Sequence, residues 1–236
     1  MNCVLKTLGA TFAMSLVAGL TMAGSEPTLE AEAWTPRSLH QTLASMPAGN
    51  ASRGKIIHQR LMCVSCHGEA GVAPSRNYPS LAGQREAYTY KMLHDYRSAR
   101  RNEKTGQSKV MLEIVRLMND QDMADVAAFY ARQPLPASGQ SGVPLEDIVR
   151  LVRKGDPARL LTPCASCHGA TGAGGKNETP ALAGQVEAYL VRTLQAYKSG
   201  ARDNDVYEGM SQFATVLSQH EIEALAQYYS SLPATR

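Results

Sequence analysis

The 236-residue sequence has few aromatic residues and little excess charge of either sign. Aromatic residues make up 6% of the chain, and the formal net charge is +3. Basic residues gather between Arg97 and Lys109, but no aromatic residue is interleaved with them and no nucleic-acid-binding fold is recognisable. We therefore expect no nucleic acid among the partners of this protein.

Two further patterns are missing after the first two dozen residues. No stretch alternates apolar and polar residues as a half-buried strand does. No later run of apolar residues reaches the roughly 20 residues that a membrane-spanning helix needs. These absences predict an all-α fold.

The beginning of the chain carries the one long uncharged run. Lys6 precedes 18 uncharged residues (7–24), and Thr21 and Ala23 provide small residues of the kind that a signal peptidase recognises. We expect residues 1–23 to be a signal peptide cleaved after Ala23, and the protein to be exported to the periplasm. An uncleaved anchor is the alternative, because the run nearly reaches the length of a membrane span.

Four of the five cysteines lie in two copies of one short motif. Cys63-Val64-Ser65-Cys66-His67 recurs 101 residues later as Cys164-Ala165-Ser166-Cys167-His168. Two thiols at this spacing can bond both vinyl groups of one porphyrin, and the following histidine then lies under the iron. The motifs predict two covalently bound haem c groups, attached through Cys63, Cys66, Cys164 and Cys167, with His67 and His168 as iron ligands.

Other uses of these cysteines fit less well. A zinc ribbon pairs two Cys-x-x-Cys units about 15–20 residues apart, whereas these units are a whole domain apart. A thioredoxin-like redox pair needs neither the adjacent histidine nor a second copy. Disulfides leave the repeated histidine unexplained, and the fifth cysteine, Cys3, lies in the predicted leader.

The repeat extends well beyond the cysteines. Leu81-Ala82-Gly83-Gln84 returns as Leu182-Ala183-Gly184-Gln185 at an offset of 101, and the segment 126–130 resembles 225–229 at an offset of 99. Between the two repeats, residues 133–144 are rich in proline, glycine and serine and cannot continue a helix. We therefore expect an extension (24–49), lobe one (50–135), a linker (136–143) and lobe two (144–236).

Each lobe is predicted to contain three helices separated by loops. Pro144 and Ser52 are near the expected starts of the first helices, and Gln84 and Gln185 are expected to open the second. The third helices begin with capping boxes at Asn119 and Ser218. Gly155 and Gly200 are expected to end helices, and we interpret Trp34 as a packing residue.

A histidine below the iron leaves its opposite side open for a sixth ligand. In lobe two, Met210 is the only methionine after His168, and the other candidate donor, His220, lies in the first turn of a helix, where exposure is usual. We expect Met210 to be the ligand, since Met/His ligation is an established haem arrangement.

Lobe one offers more candidates, and the duplication ranks them. Met111 coincides with Met210 at the offset of 99. None of the remaining candidates matches an iron-binding side chain in lobe two: Met92, Met118, Met123, His58 and His94. Met111 is the expected ligand, and the alternative is that it is an ordinary core methionine.

These motifs resemble the dihaem cytochrome c4 family. The tandem Cys-x-x-Cys-His-Gly units are each followed by Pro-x-Leu-Ala-Gly-Gln (79–84 and 180–185) and then by a methionine. The resemblance spans roughly residues 50–234 and implies two tandem class I cytochrome c domains related by a pseudo-twofold axis, with facing haem edges. It also implies that the carbonyls of Pro79 and Pro180 accept hydrogen bonds from His67 and His168. Family members often carry adjacent methionines at the ligand, whereas this chain has one at each position.

The resemblance implies an electron carrier rather than an enzyme. Its expected partners are redox proteins: a membrane quinol-oxidising complex or a dehydrogenase as donor, and a terminal oxidase as acceptor, with loose membrane association as an open possibility. The haem subunit of a dehydrogenase, such as a sulfide-oxidising flavoprotein, uses the same ligands and stays open. A dihaem peroxidase or thiosulfate-oxidising enzyme needs an open iron site, which two matched methionines argue against. The basic residues between Arg97 and Lys109 would steer an acidic partner, or would simply be a solvated helix end.

Overall fold

The computed structural model describes residues 32–137, 145–176 and 178–234. Within these ranges the secondary structure is helical apart from one isolated antiparallel bridge between Asp156 and Leu161. The prediction of an all-α fold is confirmed. The predicted signal peptide, Pro144 and most of the predicted linker lie outside the described residues, and the domain boundaries stay predictions.

The described helices repeat in the same order in the two lobes. The extension contains α1 (Pro36–Ala44). Lobe one contains α2 (Ala51–Arg60), α3 (Cys63–His67), α4 (Glu86–Arg97), α5 (Gly106–Val115) and α6 (Asp120–Ala131). Lobe two contains α7 (Glu146–Lys154), α8 (Cys164–His168), α9 (Glu187–Lys198), α10 (Ser211–Val216) and α11 (Gln219–Ser231), with short 3₁₀ turns at Pro157–Arg159 and Val206–Glu208.

Each lobe therefore has two more α-helices than the three predicted. One is the Cys-x-x-Cys-His segment itself, which forms a single helical turn of five residues in α3 and α8. The other is close to the candidate methionine, which lies within α5 in lobe one and directly before α10 in lobe two. In lobe one it starts at a capping box between Thr105 and Ser108.

The predicted helix ends agree with the structure. Asn119 and Ser218 cap α6 and α11 through capping boxes. Gly155 is the C-cap of α7, and Gly200 follows α9; both have positive φ, which glycine adopts without strain. The second helices begin at Glu86 and Glu187, two residues after the glutamines that were expected to open them.

Each lobe has its own apolar core. In lobe one α2 and α4 pack against α6, and in lobe two α9 packs against α10 and α11. Gly54 lets α2 cross α6 closely, since a Cβ there would lie 2.0 Å from the carbonyl oxygen of Asp125. No helix among the described residues has both the length and the hydropathy needed to span a membrane.

The lobes meet along a mixed apolar and polar surface. Leu135, at the end of lobe one, packs with Ala181 and Ala183 of lobe two. The described part of the extension joins lobe one, where Leu39 of α1 is buried and Trp34 lies against α4.

Candidate functional site

The two Cys-x-x-Cys-His helices present pairs of unpaired thiols. Cys63, Cys66 and Cys164 are partly buried, and Cys167 is exposed. Burial raises the pKa of the Cys63 and Cys164 thiols. Because the two cysteines of each motif are three residues apart on one helical turn, both point to the same side and suit attachment to one porphyrin.

Each motif ends in a buried histidine whose ring is fixed by a carbonyl. Nδ1 of His67 donates to the Pro79 carbonyl oxygen at 2.9 Å, and Nδ1 of His168 donates to that of Pro180 at 3.1 Å. The contacts implied by the family resemblance are thus confirmed. Burial lowers the pKa of both histidines and outweighs the carbonyls, which raise it. A neutral imidazole with Nδ1–H engaged leaves Nε2 as the metal-binding atom.

A tyrosine lies beside the first cysteine of each motif. Tyr130 adjoins Cys63 and Tyr229 adjoins Cys164. In lobe one the Tyr130 hydroxyl is also 2.8 Å from Nδ1 of the buried His58, whereas within the described part of lobe two the Tyr229 hydroxyl has only the Cys164 thiol beside it. The two sites therefore differ in polarity despite their common sequence pattern.

Most competing candidates for the sixth ligand have other contacts in the structure. Met118 and Met123 are core residues, as are Leu217 and Ile222 at the matching positions of lobe two. The other candidates have different surroundings. His58 bonds Tyr130, and His94 contacts Arg97 and packs against the Tyr90 ring. Met92 accepts hydrogen bonds at the lobe interface, and His220 is exposed.

The two expected ligands lie in different local settings. Met111 is within α5, partly buried against the core of lobe one. Met210 directly precedes α10 and is also partly buried. Their roles as iron ligands stay predictions.

Two arginines at matching positions are buried between the lobes. Nε of Arg101 donates to Glu103 and Nε of Arg202 donates to Asn204, each at 2.9 Å. Both guanidinium groups contact the Met92 sulfur, and Arg101 also donates to the Tyr189 hydroxyl at 3.2 Å.

A buried ion pair adjoins these arginines. Asp95 contacts Lys91 at 2.6 Å and accepts hydrogen bonds at 2.5 Å from Asn204 of lobe two and from Trp34 of the extension. We call the residues at this contact the inter-lobe cluster: Lys91, Met92, Asp95, Arg101, Glu103, Arg202 and Asn204.

The charges of the inter-lobe cluster fit the acidic edge of a haem. Among the described residues it joins three cationic side chains with two carboxylates, and Nη1 of Arg202 is buried without a hydrogen-bond partner. Burial raises the pKa of the nearby Tyr189 phenol, but the charges of Arg101 and Arg202 outweigh burial and lower that pKa to about 7. A site with surplus positive charge and an unused donor suits carboxylate groups such as haem propionates.

The comparisons with known proteins agree with this geometry. The family model described as Cytochrome c matches residues 51–131 and 158–233, once in each lobe. Cytochrome c4 of Pseudomonas aeruginosa is 32% identical over 189 residues, covering 78% of this chain and 90% of the relative. This chain belongs to the cytochrome c4 family.

Two further similarities support that placement. The crystal structure of reduced recombinant cytochrome c4 from Pseudomonas stutzeri has a TM-score of 0.71 and 30% identity, and the match covers 78% of this chain and all of that one. A protein named thiosulfate dehydrogenase electron acceptor, from Stutzerimonas stutzeri, is 32% identical over 209 residues, or 84% of this chain and 94% of the relative. As a cytochrome c4, this protein is an electron carrier with two covalently bound haem c groups.

The structure changes the interpretation of the basic residues in lobe one. Arg101 is buried in the inter-lobe cluster, Arg100 stacks on Trp34 with 4.2 Å between guanidinium and ring centroid, and Arg97 pairs with Asp120 at 2.7 Å. Within this group only the lysines, at positions 104 and 109, are exposed. Because its arginines make contacts within the protein, the segment is mainly structural and is less suited to steer a partner.

Sequence reasoning missed the residues that join the lobes. Asp95, Asn204 and Arg202 were not predicted to have a role, and Trp34 was interpreted as simple packing. The one available signal was the repetition of Arg101 as Arg202 beside repeated tyrosines.

Proposed function

We propose that this cytochrome carries electrons in the periplasm between a membrane quinol-oxidising complex or a dehydrogenase and a terminal oxidase. The observation that carries the proposal is the matched pair of buried histidines, each with Nδ1 bonded to a proline carbonyl and with two unpaired thiols on the same helical turn. When bound, the haems supply two one-electron redox couples.

The residues of the chain have separate tasks in this proposal. Cys63 and Cys66 tether one porphyrin and Cys164 and Cys167 the other, so that neither haem is lost when the charge of its iron changes. His67 and His168 would hold the irons through Nε2, and Met111 and Met210 would supply a thioether as the second ligand of each iron. A thioether opposite an imidazole favours reduced iron and keeps the coordination constant during electron transfer. Arg101 and Arg202 would hold propionates at the lobe interface.

A second role is favoured by one comparison. The relative from Stutzerimonas stutzeri is named as an electron acceptor of thiosulfate dehydrogenase, and the alignment covers 94% of it. A dehydrogenase of this class is therefore a candidate donor, and the present chain would receive its electrons without oxidising thiosulfate itself.

Rapid mixing of the oxidised holoprotein with defined partners tests both roles. We expect thiosulfate alone to leave the haems oxidised, and quinol-oxidising membranes or thiosulfate with its dehydrogenase to reduce them. A terminal oxidase should then reoxidise them. Consumption of thiosulfate or peroxide by the isolated protein would contradict the assignment as a carrier and support the enzymatic alternative.

A further inference from the structure

The repeated Pro-x-Leu-Ala-Gly-Gln segments cross-connect the lobes through their glutamines. Gln185 of lobe two accepts from the Ser80 N–H at 2.8 Å and donates to the Ser80 carbonyl oxygen at 2.9 Å. Gln84 of lobe one makes the reciprocal pair with Ala181, at 2.8 and 3.1 Å. These residues are buried, so the bonds are shielded from competing water.

The peptide groups that bind the glutamines are the same ones that hold the histidines. The Pro79 carbonyl and the Ser80 N–H belong to one peptide unit: its oxygen accepts from His67 and its N–H donates to Gln185. The peptide unit between Pro180 and Ala181 likewise connects His168 to Gln84. A continuous path of two hydrogen bonds therefore runs from each histidine to the other lobe.

Hydrogen bonds on the two ends of one amide strengthen each other. An acceptor at the N–H increases the negative charge on the carbonyl oxygen, which then binds the imidazole Nδ1–H more strongly. A stronger bond at Nδ1 raises the basicity of Nε2, and a more basic ligand favours oxidised iron. The same bonds also restrain the peptide and hence the orientation of the ring.

We propose that Gln185 is a positioning residue for His67 and Gln84 one for His168, so that each lobe adjusts the iron ligand of the other. The proposal rests on the proposed function, because it requires iron bound to both histidines. It assigns these glutamines a role beyond joining the lobes.

A purely local role predicts a different result. Each glutamine oxygen also accepts from the next residue of its own lobe, Arg85 at 3.0 Å and Val186 at 2.8 Å, just before α4 and α9. If this contact were all that mattered, replacing Gln185 would disturb lobe two. The proposal instead places the effect on the haem of lobe one.

The test compares Gln185→Leu and Gln84→Leu in the holoprotein, with the resonances of both Nδ1–H groups assigned by lobe. For Gln185→Leu we expect the His67 Nδ1–H signal to shift and to exchange faster with solvent. The ratio of ferrous to ferric iron in lobe one at a fixed potential should rise about threefold, with lobe two unchanged. Gln84→Leu should give the mirror result. Ser80→Ala keeps the Ser80 N–H and is the control, for which we expect no change at His67.

A second substitution provides a test that does not depend on the folding of the leucine variants. Gln185→Glu keeps an oxygen acceptor for the Ser80 N–H and loses the donor to the Ser80 carbonyl oxygen. At a pH that ionises the new carboxylate, its negative charge should make the ferrous-to-ferric ratio in lobe one fall instead of rise. Changes confined to the lobe that carries the substitution, or equal in both lobes, would overturn the inference while leaving the carrier function intact. Wild-type protein without reversible haem redox chemistry would instead overturn the proposed function.

Discussion

At the scale of single residues, the two lobes hold their matching methionines by different means. Met111 is inside a capped helix, whereas the Met210 backbone N–H donates to the Asp205 carboxylate at 2.7 Å. The same carboxylate accepts from the N–H and the hydroxyl of Ser211, at 2.8 and 3.0 Å. Asp205 therefore fixes the backbone that carries the expected ligand of lobe two, and lobe one has Gly106 at the matching position.

Replacing Met210 tests its assignment as a ligand. In Met210→Ala we expect haem to remain covalently attached, because Cys164 and Cys167 are intact. Loss of the thioether should lower the ferrous-to-ferric ratio of lobe two at a fixed potential by about tenfold or more, and should let that iron bind small ligands. The measurement is a spectroscopic redox titration with and without cyanide.

Met118→Leu is the matched control for this substitution. Met118 is buried in the core, and the corresponding residue of lobe two is already Leu217, so the spectrum and the potentials should not change. An unaltered spectrum in Met210→Ala would show that another group binds the iron of lobe two.

At the scale of structural elements, one arginine links the approach to α8 with the start of α11. Arg159 forms a two-point contact with Glu221, at 2.7 and 3.0 Å, and pairs with Asp156 at 2.7 Å. Hydrogen bonding from Arg159 lowers the pKa of Glu221 to about 2. Glu221 also completes the capping box with Ser218, so the ion pair anchors the haem-motif segment to a helix that is already capped.

The depressed pKa of Glu221 predicts a defined pH dependence. Its contribution to the free energy of unfolding should be fully present above about pH 4.5, where the unfolded chain is also ionised, and should be lost as the pH falls toward about 2. Glu221→Gln keeps the capping box and should cost about 1 kcal/mol at pH 7, after allowance for solvent screening. Denaturant unfolding from pH 7 to pH 3 measures the difference in unfolding free energy between this variant and wild type, which should become smaller as the pH falls.

The control is Glu223→Gln, an exposed change of equal charge on the same helix, which should show no such trend. A parallel trend in both variants would count against the ion pair.

At the scale of the whole molecule, the extension takes part in the contact between the lobes. Trp34 donates to Asp95, whose carboxylate also binds Lys91 of its own helix and Asn204 of lobe two. All the hydrogen-bond partners of Asp95 here are donors, as a buried carboxylate requires. Removing one of these donors should weaken the contact between lobe one and lobe two.

Trp34→Phe keeps an aromatic ring and removes the hydrogen bond to Asp95. We expect a loss of about 1–3 kcal/mol in the free energy of unfolding, since the acceptor is buried and charged. Hydrogen exchange should become faster near Asn204 as well as in α4. Circular dichroism is the suitable probe, because Trp34 is the only tryptophan. His40→Ala, an exposed change in α1, is the control, and equal effects in the two variants would contradict the role of Trp34.

Local patterns in the sequence predicted the parts of the fold that depend on short-range rules. The capping boxes at Asn119 and Ser218 and the stop at Gly155 required only neighbouring residues, and each agrees with the structure. The haem motifs were predictable for the same reason. Asp95 and Arg202 were not, because the contacts that place them between the lobes join residues more than 60 positions apart: Asp95 with Trp34 and Asn204, and Arg202 with Met92.

Spectroscopic redox titration of the mature protein tests the central claim most directly. The account predicts two covalently bound haems reduced in two one-electron steps, with the methionine-to-iron charge-transfer band present on both ferric haems and no reaction with cyanide at low concentration. A colourless protein, or one in which either ferric haem lacks that band and binds cyanide readily, would contradict it.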